Sequence, residues 1–131
     1  MGQLSKRAES ILRMQKFNRF ACPHCKEPMQ VEKDGRLQCE NRHSFDVAKQ
    51  GYVYMLAKPV NSMYSKDLFD ARHHIITSGL YDRVQQKIAE LIRVDNAKIL
   101  DTGCGEGSHL ARICAQLDGA VGVGIDIAKE A

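Results

Sequence analysis

The sequence has no apolar run approaching the roughly 18 residues that a bilayer-spanning helix needs. Its first twenty residues are polar and basic and contain no apolar h-region, so a secretory signal is not expected either. With no span and no signal, a cytoplasmic location and no membrane partner are the expectations. There are no internal repeats and no low-complexity segments. An excess of acid is missing as well: the net charge is +3. The cysteines lack an even count, being five, and without a secretory context they point to metal binding or reduced thiols rather than to disulfides.

What is present is a chain of 131 residues, 44% hydrophobic and 27% charged, enough for one ordinary domain or two small ones. The charge is uneven. Residues 1–60 hold 11 Lys and Arg against 6 Asp and Glu, a net +5, so the remaining 8 against 10 give −2 for residues 61–131. A basic front half suits the phosphate backbone of a nucleic acid, although an ordinary solvated surface gives the same count.

Residues 1–19 read as a basic N-terminal extension, a short helix or arm with Ile11, Leu12 and Met14 as its apolar positions. Residues 20–56 are organised by Cys22, Cys25, Cys39 and His43. Cys22-Pro23-His24-Cys25 is a C-x2-C pair that can set two thiolates on one ion. Asp34-Gly35, between short strand-like runs, predicts a hairpin that returns Cys39 and His43 to complete a tetrahedron. Three thiolates and one imidazole with no open position make a structural Zn2+ site, and the metal would supply much of the folding energy of so small a unit. His24, inside the first knuckle, is a competing ligand.

Residues 57–67, with Pro59, Asn61, Ser62 and Ser65, read as a linker, and 68–131 as the start of a second, incomplete domain. A helix is predicted from about Leu68 to Thr77. Another is predicted from about Asp82, as N-cap, to Arg93, with Val84, Ile88, Leu91 and Ile92 on its buried face. Then come a strand ending in Asp101, a helix over Ser108–Leu117 with Leu110, Ala111, Ile113, Cys114 and Leu117 inward, and a strand ending in Asp126. Strand, helix, strand implies a parallel crossover.

Between the first strand and its helix lies Asp101-Thr102-Gly103-Cys104-Gly105-Glu106-Gly107. Such glycines let backbone pass close under a ligand in dihedrals that side chains forbid. A dinucleotide pyrophosphate and a purely structural turn are competing readings. Asp101 would repel a phosphate but suits S-adenosyl-L-methionine, which carries an ammonium and a sulfonium. Asp126 is placed to accept hydrogen bonds from ribose hydroxyls. Cys104 and Cys114 read as buried small hydrophobes rather than nucleophiles.

Both constellations, in this order, resemble one family, the RlmA-type 23S rRNA (guanine-N1)-methyltransferases, and only its N-terminal part. The matching stretches include Cys22-Pro23-His24-Cys25, Cys39-Glu40-Asn41-Arg42-His43-Ser44-Phe45-Asp46, Ala48-Lys49-Gln50-Gly51-Tyr52-Val53, Ala71-Arg72, Ser78-Gly79-Leu80-Tyr81 and Leu100 through Gly107. The resemblance implies an α/β chain: a small zinc-binding RNA-recognition module followed by an incomplete Rossmann-like S-adenosylmethionine-dependent methyltransferase domain. It implies Cys22, Cys25, Cys39 and His43 as zinc ligands, and donor contacts from Tyr81, Gly107 and Ser108. Gly103, Gly105, Asp101 and Asp126 complete the donor site on the reading above. The partner implied is a hairpin of 23S ribosomal RNA, and a homodimer is left open. Arg19, Lys26, Lys33, Arg36, Arg42 and Lys49 are candidate RNA contacts.

Methylation at guanine N1 needs an unpaired or extruded base and help in losing the N1 proton. No catalytic residue for that step is identifiable here. The chain is expected to be an N-terminal fragment that binds zinc without methylating, and an unfinished sheet would leave an aggregation-prone edge. The alternatives are an RNA-binding zinc module without catalysis and a small-molecule methyltransferase.

Overall fold

The computed structural model describes residues 2–58, 60, 61 and 63–128. Pro59 and Ser62 of the predicted linker lie outside the described residues. The chain is mixed α/β and divides into two compact units, Met1–Ala57 and Lys58–Ala131. No helix among the described residues is long and apolar enough to cross a membrane.

The first unit opens with helix α1 (Lys6–Phe17). Ser5 starts it by accepting the Ala8 N–H at 3.1 Å, and Asn18 ends it in the left-handed region at φ 46°. Four short strands follow: β1 (Phe20–Ala21), β2 (Pro28–Val31), β3 (Arg36–Cys39) and β4 (Ser44–Asp46). They form one antiparallel sheet in chain order, with Val31 opposite Leu37 at the hairpin that Asp34-Gly35 predicted. Period-two alternation sends Met29, Leu37 and Cys39 inward, where they pack with Cys22, Val47 and Ile11.

The presence of Ile11 in that core corrects the sequence expectation of an extension. Helix α1 buries Ile11 and Phe17, each side chain contributing roughly 1.5–3 kcal/mol. Arg7 ties the helix to the hairpin, donating to the Val47 carbonyl at 2.9 Å and the Asp34 carbonyl at 2.7 Å. The pattern is faint in sequence because the two buried residues lie six apart among charges. In and after β4, Phe45, Val53 and Met55 pack on the core, while Tyr52 and Tyr54 stay exposed.

The second unit runs α2 (Lys66–Thr77), α3 (Asp82–Leu91), β5 (Lys98–Thr102), α4 (Ser108–Ala115) and β6 (Val121–Ile125). β5 and β6 pair in parallel, with Asp101 opposite Gly124. Helix α4 lies against β6 through Leu110, and a Cβ at Gly122 would come within 2.9 Å of the Leu110 side chain and 2.8 Å of the Cys114 Sγ. That close approach is why the strand is glycine-rich.

Three expectations for the helices are corrected. In α3 the buried residues are Gln85 and Ala89, whereas Val84, Ile88 and Leu91 are exposed. Small Ala89 permits close approach, and polar bonds from Gln85 and Asp82 to α4 hold that face inward. Asp82 is the first helical residue and Tyr81 the cap. In α4, Leu110 and Ile113 are buried as expected, but Ala111 is exposed.

Candidate functional site

The first site is a cluster of Cys22, Cys25, Cys39 and His43, whose ligand atoms all lie within 4.8 Å of one another. Tetrahedral zinc with Zn–S bonds of about 2.3 Å requires sulfur–sulfur separations of about 3.8 Å. Cys25 Sγ and Cys39 Sγ are 3.7 Å apart, and His43 Nδ1 is 3.4 Å from both Cys22 Sγ and Cys39 Sγ. The donor set and its spacing therefore fit zinc with no position left open.

Two backbone turns build the cluster. In the first, the Lys26 N–H returns to the Cys22 carbonyl at 2.9 Å and the Cys22 N–H to that of Glu27 at 2.8 Å. In the second, the Arg42 N–H reaches the Cys39 carbonyl and the Cys39 N–H reaches that of His43. Each turn carries a side chain at φ 66°, Lys26 in one and Arg42 in the other. The left-handed region costs a non-glycine residue of order 1 kcal/mol, a cost that metal ligation offsets. A hydrogen bond from the Asn41 side chain, helped by the Glu27 backbone, lowers the Cys25 thiol to about 6, which favours the thiolate a metal binds. Burial pushes the Cys39 thiol up. His24 is not one of the four: it is exposed, its ring 5.1 Å from that of His43 and stacked on Phe45 at 5.8 Å. Arg36, a candidate RNA contact, is paired with Asp34 at 3.6 Å, while Arg19, Lys26, Lys33, Arg42 and Lys49 are exposed.

The second site is the turn between β5 and α4. Gly103, Gly105 and Gly107 have φ of 74°, 60° and 92°, which side chains rarely adopt. A Cβ at Gly103 or Gly107 would meet no atom within 4 Å, so the turn leaves open space above itself. The Gly103 and Cys104 N–H groups both bond the Ile125 carbonyl, fastening the turn to the end of β6. Just beyond that strand, Asp126 is exposed, its Oδ2 accepting the Gly105 N–H and its Oδ1 the Ala128 N–H, each at 2.8 Å.

Glu106 takes over the start of α4, where Gly107 offers no side-chain cap. Its Oε1 accepts the Ser108 N–H at 3.1 Å, and its Oε2 accepts the Ser108 hydroxyl at 2.6 Å and faces His73 Nδ1 at 2.9 Å. Burial opposes the charge, but the Ser108 and His73 bonds prevail and hold the carboxyl below its usual range. Cys104 is pushed up by burial and then by Asp101, Asp126 and Glu106. Its thiol packs where a Cβ on Gly124 would stand, 2.5 Å away, so it fills space and is held protonated.

A cleft of about 270 Å³ adjoins the turn, lined among others by Phe69, Arg72, Tyr81, Gly105, Glu106 and His109. Of the residues singled out in the sequence, Tyr81, Gly103 and Gly105 line it, Gly107 and Ser108 continue the turn, and Asp101 and Asp126 stand at its strand ends. Arg72, Glu106 and His109 were not assigned to the site from sequence. Glu106 carried a signal, as an acid just before a helix start; His109 carried none.

The geometry defines a class: a zinc-ribbon unit followed by an α/β unit with a glycine-rich strand-to-helix turn. The description "RlmA, N-terminal" belongs to a zinc-ribbon family whose pattern matches residues 20–66. Over 124 residues the chain is 40% identical to YxjB of Bacillus subtilis (strain 168), a protein named for 23S rRNA (guanine-N1)-methyltransferase activity; the match spans 87% of this chain and 44% of that protein. Over 116 residues it is 36% identical to the 23S rRNA (guanine(748)-N(1))-methyltransferase of Streptomyces fradiae, spanning 84% of this chain and 41% of that enzyme. Through residues 20–66 the chain matches the RlmA N-terminal zinc ribbon, and most of its length is similar to the N-terminal part of these methyltransferases. It spans less than half the length of these relatives.

Proposed function

We propose that these two units are the RNA-gripping and donor-binding parts of an S-adenosyl-L-methionine-dependent methyltransferase acting on guanine N1 in a hairpin of 23S ribosomal RNA. One observation carries the donor reading. Asp101, Glu106 and Asp126 surround the glycine turn closely enough that all three press on the Cys104 thiol, and Glu106 already fills the N-terminus of α4. A pyrophosphate needs that helix end bare and positive. A ligand with an ammonium and a sulfonium is attracted by the same carboxylates. The second unit is on this reading the beginning of a Rossmann-like sheet.

Bound there, S-adenosylmethionine supplies an electrophilic methyl group. The chain's own residues hold and orient. Asp126 is exposed at the end of β6 and retains lone pairs for ribose hydroxyls, and Tyr81 walls the cleft. Gly103 and Gly107 leave the space a ligand needs. The zinc ribbon presents Lys26, Arg42 and Lys49 to phosphates, which position an RNA without reading its sequence. A group that takes the N1 proton is not among the residues assigned. These residues are proposed to bind zinc and donor in a cytoplasmic setting where ribosomal RNA is available.

The test is primer extension across 23S ribosomal RNA from cells with and without the gene. N1-methylguanine blocks base pairing and halts reverse transcriptase. A stop that vanishes on deletion and returns with the gene supports the proposal. Unchanged stops, with salt-dependent RNA binding by the purified chain, would make it a binding module instead.

A further inference from the structure

The donor proposed above has one feature that the acidic turn cannot hold: a carboxylate at its amino-acid end. That group must face a part of the cleft that donates hydrogen bonds. Arg72 and His109 both line the cleft. Arg72 is braced by aromatic rings, its guanidinium 5.1 Å from the centre of Tyr64 and 5.8 Å from that of Phe69.

His109 is set by a relay that begins outside the cleft. Arg112 can only donate, and it gives one bond to Asp82 Oδ1 at 2.8 Å and another, from Nε, to Gln85 Oε1 at 3.1 Å. Gln85 is 1% exposed. With its carbonyl oxygen fixed on Arg112, its amide nitrogen faces His109 Nδ1 at 2.9 Å and donates to it. Turning the amide over would set two donors against each other at Arg112 and leave a buried oxygen without that bond. His109 Nδ1 is therefore an acceptor, and the ring carries its proton on Nε2. Edge-on contact with Tyr81, centroids 5.0 Å apart at 87°, fixes the ring plane. Nε2–H is the ring donor that Gln85 does not engage, and His109 lines the cleft.

We propose that His109 binds the carboxylate of S-adenosylmethionine through Nε2–H, with Arg72 as its charged companion. Gln85, Arg112 and Asp82 are positioning residues that set the His109 tautomer. This inference rests on the donor reading above.

The experiment is calorimetric titration of the whole chain with two probes, S-adenosylmethionine and its decarboxylated analogue, which differ only in that carboxylate. His109→Phe is expected to weaken S-adenosylmethionine about tenfold and to leave the decarboxylated ligand unchanged. His109→Gln, whose amide nitrogen can stand near the place of Nε2, restores most of the loss. Gln85→Glu, which accepts from both Arg112 and the imidazole, moves the proton to Nδ1 and reproduces the His109→Phe defect. Equal weakening of both ligands by His109→Phe would mean a merely structural role and would overturn the inference. So would unchanged affinity for S-adenosylmethionine. Binding of neither probe by the wild-type chain would overturn the donor reading itself, and this inference with it.

Discussion

The two units reach order by different routes. The zinc ribbon closes on itself: Cys22 and Leu37 are fully shielded, four strands pair in chain order, and a helix covers the hairpin. The second unit pairs two strands in its sheet and leaves Leu80, Val84, Leu91, Leu100 and Ile125 more than half exposed. In the ribbon, each strand pairs with its neighbour in the chain, and four ligand atoms gather at the strand ends. In the second unit, the groups that matter are joined by polar bonds reaching 24 to 35 residues along the chain. Local closure yields a self-sufficient core, and long-range closure yields a site within a less completely covered one.

The strongest way to sharpen this contrast is to remove the metal. A chelator, or Cys39→Ser, is expected to collapse the backbone amide spectrum of residues 20–56 while signals from α3 and α4 stay in place, since a structural zinc contributes about 10 kcal/mol or more to such small units. Coupled loss of both sets would show that the two routes are not separate. Truncation of apolar side chains comes next. Leu37→Ala is expected to destabilise the ribbon by about 2–5 kcal/mol, and Leu91→Ala to change stability by no more than about 0.5 kcal/mol, read from denaturant melts with zinc in excess. A large loss at Leu91 would reveal cover over a face that is bare in this structure.

The smallest effect is electrostatic. Glu106 titrates below its unfolded value, so its bonds to Ser108 and His73 stabilise the second unit above about pH 4.5, and that stability fades as pH falls through the folded value. Thermal melts of wild type and Glu106→Gln should therefore differ at neutral pH and converge in acid. A gap that persists in acid would contradict this account.

How much of this was legible in the sequence follows the same divide. Cys22, Cys25, Cys39 and His43 announce themselves because ligand spacing and a turn dipeptide are local signals. The glycine turn is legible for the same reason, its acids falling at strand ends. The face of α3 was misread because an apolar stripe at helical spacing says which side wants cover; it does not say that Gln85 and Ala89 will be the side that gets it. Nothing in the residues around Gln85 signals an amide held between Arg112 and His109, since each bond depends on the packing of two helices. Tyr81 came from family resemblance alone, and the geometry sets it in the cleft wall.

The seat of α1 constrains the turn residue beneath it. The family pattern begins at residue 20, after the helix ends. Its docking ground is the hairpin turn, where a Cβ on Gly35 would collide with the Arg7 guanidinium and come within 2.9 Å of Ile11. Asparagine can replace glycine at a left-handed turn when the space above it is empty, but not beneath a helix. Any other residue at position 35 would have to take φ 91° and push the Arg7 guanidinium and Ile11 off the hairpin, so the seat of the helix and the identity of one turn residue are a single structural choice.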